Sequence, residues 1–138
     1  KITTENSSYP SSIIHPKHEE DRVMEELKEQ VGYQWVEASL GKNKLSEWDM
    51  ILKDLADVLR LSEGTIMVSQ SRLPVSQVQE RIRELTIHHM EYMVECLGNV
   101  QEPIKNIRSY LLTVAYNAPV TIDAYYANQV KSEYSQLL

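Results

Sequence analysis

Apolar residues recur every three or four positions over residues 19–59, the spacing that places side chains on one face of a helix. A first helix is predicted from about Glu19, where acidic residues suit the positive end of the helix dipole. Gly32 separates it from a short irregular piece over residues 33–36. The clearest helix follows, with a wide apolar stripe and an opposite face rich in acids and lysines. The stripe consists of Leu45, Trp48, Ile51, Leu52, Leu55, Val58 and Leu59.

A short β-prone run then interrupts the helical pattern. Residues 65–68 (Thr-Ile-Met-Val) favour a strand, residues 69–71 favour a turn, and Arg72 and Leu73 can return as a second strand. We therefore predict a small two-stranded hairpin. Pro74 can then open a third helix, because the first helical turn does not need the N–H group that proline lacks.

The second half of the chain is predicted to be helical throughout. Thr86 is the expected N-cap of a fourth helix, and Gly98 suits its C-terminal end. A fifth helix is expected to follow Pro103, carrying Ile104 on its apolar face, and to end just before Pro119, because a proline disfavours helical backbone in the residue before it. Thr121 would cap a last helix.

The predicted fold class is therefore mainly α, with about six helices and a small β-hairpin. The helical domain is expected to cover residues 19–138. Residues 1–18 are rich in Ser and Pro and show no apolar period, so we expect a flexible tail or linker there. The chain does not begin with Met, and it is expected to be a piece of a longer protein.

The composition limits the functions that the chain can have. It has 138 residues, 42% hydrophobic and 25% charged, which suits one domain of ordinary size. Its net charge is −6, whereas a domain that binds nucleic acid by itself is usually basic. Any DNA contact must then come from a local patch or from another domain. The single cysteine, Cys96, cannot form an internal disulfide and favours a reducing compartment, the cytoplasm.

Few side chains offer catalytic chemistry. His88 and His89 are adjacent on a predicted helix, so one should face the core edge and the other solvent; a hydrolase using either is the alternative from another class. His15 and His18 have helical spacing but no third metal ligand nearby. Cys96 is expected to be a buried structural thiol. We expect no enzyme activity, no metal and no cofactor.

The main basic patch that the sequence suggests lies late in the chain, and Arg72, Arg81 and Arg83 form a second, weaker option. Lys105 and Arg108 are three residues apart on one face of the predicted fifth helix, and Lys131 follows later. Acidic residues are sparse in the neighbouring sequence. The chain has eight tyrosines and no phenylalanine, and Tyr116 and Tyr125 could stack on bases of single-stranded nucleic acid. These five residues are the candidate DNA-binding set, and a solvated helix face with core-edge tyrosines is the alternative.

Two stretches carry a resemblance to a known family. Residues 85–97 read Leu-Thr-Ile-His-His-Met-Glu-Tyr-Met-Val-Glu-Cys-Leu, and residues 107–119 read Ile-Arg-Ser-Tyr-Leu-Leu-Thr-Val-Ala-Tyr-Asn-Ala-Pro. Both resemble helices of the replication initiator protein A group of Firmicutes plasmids and integrative elements. That resemblance implies a C-terminal, DnaD-like helical domain that follows a winged-helix DNA-binding domain in the intact protein.

The resemblance also implies a function. Such a domain would recruit primosome proteins (primase, helicase or helicase loader) to an origin-bound initiator, and a homo-oligomer is plausible. The alternative is a nucleic-acid-binding domain that contacts DNA through its C-terminal helices. The chain departs from the DnaD-type motif by carrying Ala118 where that motif has Trp, which shifts weight toward protein contacts.

Overall fold

The computed structural model describes the backbone of residues 16–137, and the side chains of residues 19–124, 127, 128, 130, 131 and 136. The described elements are α1 (Pro16–Gln30), α2 (Tyr33–Glu37), α3 (Lys42–Leu59), β1 (Thr65–Val68), β2 (Ser71–Pro74), α4 (Val75–Ile82), α5 (Ile87–Gly98) and α6 (Ile107–Leu137). The predicted fold class, mainly helical with a small antiparallel hairpin, is confirmed.

The core is built around α3, whose apolar stripe is buried as its spacing predicts. Ile51, Leu52 and Leu55 are almost completely inaccessible to solvent. Helix α3 packs against α1, α4, α5 and α6, so most of the other helices share this one surface. Because a fully buried Leu or Ile side chain contributes about 1.5–3 kcal/mol, this stripe contributes substantially to the stability of the domain.

Two glutamine side chains tie the ends of helices together. The last carbonyl groups of a helix have no donor within the helix and need partners from elsewhere. Gln79 of α4 donates through Nε2 to the carbonyl oxygens of Val58 (2.9 Å) and Leu61 (2.8 Å), at the end of α3. Gln30 of α1 donates in the same way to the carbonyl of Ile82 (3.0 Å), at the end of α4. These amides fix the position of α4 against α3 and α1.

The hairpin is joined by a two-residue turn and rests on α6. Val68 pairs with Ser71, which leaves Ser69 and Gln70 as the turn. Ser69 has φ of 59°, in the left-handed region that few non-glycine residues adopt. Its N–H donates to Oγ1 of Thr113 on α6 at 3.0 Å, and this bond helps to hold the turn in place.

Helix α6 runs without a break through Pro119, so the prediction of two helices separated at this proline is wrong. Four buried residues explain the continuity. Leu111, Ala115, Ala118 and Ile122 lie on one face at spacings of four, three and four residues, and the proline falls between the last two. Their packing against the other helices outweighs the local preference of a proline to end a helix. The expected number of helices is reached only because the short piece over residues 33–37 is also helical.

Neighbouring side chains support the turn that precedes Pro119. A proline cannot donate to the carbonyl four residues earlier, and its ring crowds that turn. The hydroxyl of Thr121 donates to the carbonyl of Asn117 at 3.1 Å, and the Arg81 guanidinium donates to the carbonyl of Tyr116. Polar side chains therefore supply donors to the carbonyl groups around the proline.

Helix α6 also begins later than predicted, at Ile107 rather than near Ile104. The side chain of Asn106 accepts a hydrogen bond from the N–H of Ser109 at 3.1 Å, which is the geometry of an N-cap. An asparagine cap is a stronger start signal than a proline three residues earlier. Lys105 therefore lies before the helix and does not share a helix face with Arg108.

We predict that Pro119→Ala raises the free energy of unfolding by about 2 kcal/mol, because alanine restores the missing N–H donor inside the helix. Urea denaturation followed by circular dichroism measures the change. Pro103→Ala is the matched control outside any helix, and it should lower stability by roughly 0.4–1 kcal/mol through a more flexible unfolded chain. An unchanged or lower stability of Pro119→Ala would contradict a continuous α6.

Candidate functional site

Arg108, the central residue of the predicted basic patch, is paired with two carboxylates of α3. Its Nε lies 3.4 Å from Oδ1 of Asp54, and its Nη2 donates to Oδ2 of Asp57 at 3.0 Å. Asp57 also pairs with Arg60, at 3.3 Å. Arg108 therefore joins the start of α6 to an ion-pair network on α3.

Asp54 occupies an unusual position for a carboxylate. Its side chain is only 15% exposed, and Oδ2 has no hydrogen-bond partner among the described residues. Burial raises the pKa of Asp54, and the charge of Arg108 opposes that rise. The negative charge is therefore tolerated at this position largely because Arg108 lies beside it.

We expected few acidic residues near Arg108, and this expectation is wrong for the folded chain. The sequence near Arg108 is poor in acids, but Asp54 and Asp57 lie more than 50 positions earlier in the chain and reach Arg108 through the packing of α3 on α6. The local sequence carries no signal for this pairing. Spacing predicts only that both aspartates lie on the polar side of α3.

The structure does not bring the three predicted cations into one patch. Lys105 and Lys131 are both exposed, and neither has an ion pair among the described side chains. At 1.5 Å per residue, Arg108 and Lys131 are separated by roughly 35 Å along α6. Three cations spread in this way, one of them already paired, do not form a continuous phosphate-binding surface.

The half-buried side chain of Tyr116 is engaged by two residues of α4. Nε2 of Gln77 donates to its hydroxyl at 2.6 Å, and the Arg81 guanidinium lies 4.2 Å from its ring centroid. One face of the ring is therefore already covered by a cation. The side chain of Tyr125 lies outside the described residues.

The histidines and the cysteine show structural roles. Nδ1 of His89 accepts the N–H of Thr86 at 2.9 Å, which confirms Thr86 as the N-cap of α5. Burial and the neighbouring His88 lower the pKa of His89, which favours the neutral ring that can accept this hydrogen bond. His88 is exposed, as the prediction of one core-edge and one solvent-facing ring requires. Cys96 is half-buried rather than buried, and burial raises the pKa of its thiol.

No group of three or more potential metal ligands occurs among the residues that the structure describes. The side chains of His15 and His18 lie outside the described residues.

Tyr110 donates its hydroxyl to the backbone carbonyl of Cys96 at 3.3 Å. This places Tyr110 at the core edge, with its hydroxyl on backbone.

An apolar groove opens beside the Arg108 network, between α3, the hairpin and the start of α6. Its first part is a cavity of about 330 Å³, and a second cavity of about 370 Å³ continues toward the end of α3. Leu55, Val58 and Leu112 are buried residues of its lining. Met67 and Leu61 line it while 42% and 44% exposed. We call this surface, with Asp54 and Arg108 at its edge, the α3–hairpin groove.

Met67 and Leu61 are exposed because of their positions in the backbone: Met67 in an alternating strand, and Leu61 just after the end of a helix. In β1, Val68 points into the core, so Met67 must point to the other face. Leu61 follows the last turn of α3 and is no longer on the buried stripe. Sequence reasoning missed the groove because its walls come from three separate segments.

A family model matches residues 14–136, nearly the whole chain, and its description is "Family of unknown function (DUF6017)". The chain belongs to the DUF6017 family. No curated protein and no solved structure gives a significant match. In the DUF6017 domain, no described helix combines the length and the apolar character that crossing a membrane requires.

We predict that Arg108→Met lowers the stability of the DUF6017 domain by about 1 kcal/mol near pH 7, because it leaves the partly buried Asp54 carboxylate without the cation beside it. The folded-state pKa of Asp54 is already raised, so the penalty for its charge exists above that pKa and disappears as pH falls through it. The loss caused by Arg108→Met should therefore shrink by about pH 4, close to the ordinary aspartate pKa. Urea titrations at both pH values measure it.

Lys105→Met is the control, since Lys105 is exposed and close in sequence, with no ion pair among the described residues. It should leave stability unchanged at both pH values. Equal effects of the two substitutions, or an Arg108→Met effect that grows on acidification, would show that Arg108 does not stabilise the Asp54 charge.

Proposed function

We propose that this domain is a non-catalytic recruitment module of a plasmid or mobile-element replication initiator. It acts in the cytoplasm and binds a replication protein (primase, helicase or helicase loader) through the α3–hairpin groove. Another part of the initiator reads the origin. This assignment combines the resemblance of α5 and α6 to replication initiator protein A with the shape and chemistry of the groove.

The observation that carries the proposal is the exposure of Met67 and Leu61 in one concave surface. Exposed apolar side chains that cluster beside polar groups are typical of protein-interaction sites. Methionine suits such a surface because its unbranched, polarizable side chain adapts to a partner. An amphipathic helix or extended segment of a replication protein would place apolar side chains in the groove and polar ones toward Asp54 and Arg108.

The electrostatics favour protein contacts over phosphate contacts. The chain carries a net charge of −6, and Arg108 is held by two aspartates of α3. If Arg108 turned to a phosphate, the partly buried Asp54 would lose the cation that pairs with it, at an energetic cost. The nucleic-acid alternative therefore rests on Lys105 and Lys131, which are far apart.

The test is direct binding of the domain to purified primase, helicase and helicase loader of the host, measured by biolayer interferometry at low and at physiological salt. We expect one of them to bind. The double variant Leu61→Lys/Met67→Lys should weaken that binding at least tenfold, because two charges would be buried in an apolar contact. The double variant Val120→Lys/Val130→Lys, which changes two exposed apolar residues of α6 outside the groove, should bind like the parent.

The domain and its variants are also titrated against labelled single- and double-stranded oligonucleotides. Binding is followed by fluorescence anisotropy at about 50 mM salt. Failure of all three replication proteins to bind would remove the recruitment proposal. Oligonucleotide binding that falls steeply with salt, is lost in Lys105→Gln/Lys131→Gln and survives in the groove variant would replace it with the nucleic-acid alternative.

A further inference from the structure

Trp35 is the most exposed large apolar side chain of the described residues, at 73%. It lies on the short helix α2, directly after the turn at Gly32. Gly32 has φ of 70°, and a Cβ there would lie 3.4 Å from Cδ1 of Trp35, so this atom of the indole lies beside the glycine while most of the tryptophan is in solvent. The exposed indole of Trp35 therefore offers an aromatic face to a binding partner.

The exposure of Trp35 does not come from a loosely held segment. Two residues earlier, Tyr33 is buried and its hydroxyl donates to Oδ1 of Asp49 on α3 at 2.6 Å. Val36, the residue after Trp35, is also buried in the core. Helix α2 is therefore fixed on both sides of the tryptophan, and its backbone holds the indole toward solvent.

Charged side chains line the same concave surface as the indole. This concave surface of about 610 Å³ is lined by Trp35, by Gly32 and by further residues of α1 and α2. Its charged lining comprises four glutamates and two cations: Glu25, Glu26, Glu29, Glu37, Arg22 and Lys28.

Both cations of this surface are already engaged. Arg22 donates to Glu26 at 3.0 Å, and Nζ of Lys28 lies 4.6 Å from the ring centroid of Tyr33. Glu25, Glu29 and Glu37 have no ion pair among the described side chains. The surface therefore combines three unpaired carboxylates with an open aromatic face.

We propose that this Trp35 surface binds a basic, arginine-bearing segment of a protein partner. A guanidinium of the segment stacks on the indole, which is the best aromatic acceptor of a cation. Its other cations pair with Glu25, Glu29 and Glu37. The inference goes beyond the proposed function and does not depend on it, because the Trp35 surface and the α3–hairpin groove share no residue.

The two tryptophans of the chain allow a direct test, because Trp48 is only 3% exposed and Trp35 dominates quenching by neutral acrylamide. The probe is a synthetic arginine–glycine repeat peptide added to the full chain. We expect the peptide to protect Trp35 from acrylamide, and a lysine–glycine peptide to protect it less, since lysine stacks poorly. A glutamate–glycine peptide should give no protection, and rising salt should weaken the arginine effect.

Charge-matched variants separate a site from general attraction to an acidic protein. The triple variant Glu25→Gln/Glu29→Gln/Glu37→Gln should weaken peptide binding about tenfold, as expected for three exposed ion pairs. The triple variant Glu63→Gln/Glu80→Gln/Glu102→Gln removes the same charge from exposed positions elsewhere and should change binding less than twofold. Trp35→Leu, read by the anisotropy of labelled peptide, should also weaken binding several-fold.

Three results would overturn the proposal. One is an equal loss in both triple variants, which would mean that only the overall charge attracts the peptide. Another is equal protection by the arginine and lysine peptides with no effect of Trp35→Leu. The third is protection of Trp35 without peptide that grows with protein concentration, which would assign the surface to a second copy of the chain. Loss of primase or helicase binding in the groove variant has no bearing on these readouts.

Discussion

The burial of one continuous apolar face of α6 against the α3-centred core is the constraint on which the rest of the structure depends. Ala115 and Ala118 are fully buried, and their small side chains let α6 approach the neighbouring helices closely. The same face continues to Ile122, so the helix keeps its course through Pro119. Because α6 also contacts β1, its position fixes the hairpin as well.

The packing of α6 on α3 also determines which partners the basic residue Arg108 has. Once α6 lies across α3, Arg108 comes within ion-pair distance of Asp54 and Asp57. The pairing compensates the partly buried carboxylate of Asp54, and it engages the cation at the centre of the predicted basic patch. It also sets the edge of the α3–hairpin groove, where apolar walls meet a polar network. This arrangement supports the proposed docking of a protein segment over the binding of a phosphate backbone.

The sequence predicts the helices well where burial is periodic within one segment. The stripe of α3, the N-cap at Thr86 and the strand at residues 65–68 all rest on local patterns, and the structure confirms them. The helix through Pro119 was missed because local proline chemistry and long-range packing oppose each other there. The Arg108 pairing, the two glutamine bridges and the groove were missed for a related reason. Each joins residues far apart in sequence, and spacing within one helix cannot report on them.

Hydrogen–deuterium exchange of the domain, with and without the replication protein that binds it, shows whether the α3–hairpin groove is the docking surface. Bound partner should slow exchange in residues 61–68 and 106–112, the segments that form the groove, and leave residues 123–137 of α6 unchanged. Protection confined to residues 123–137, with residues 61–68 exchanging as in the free domain, would contradict the claim.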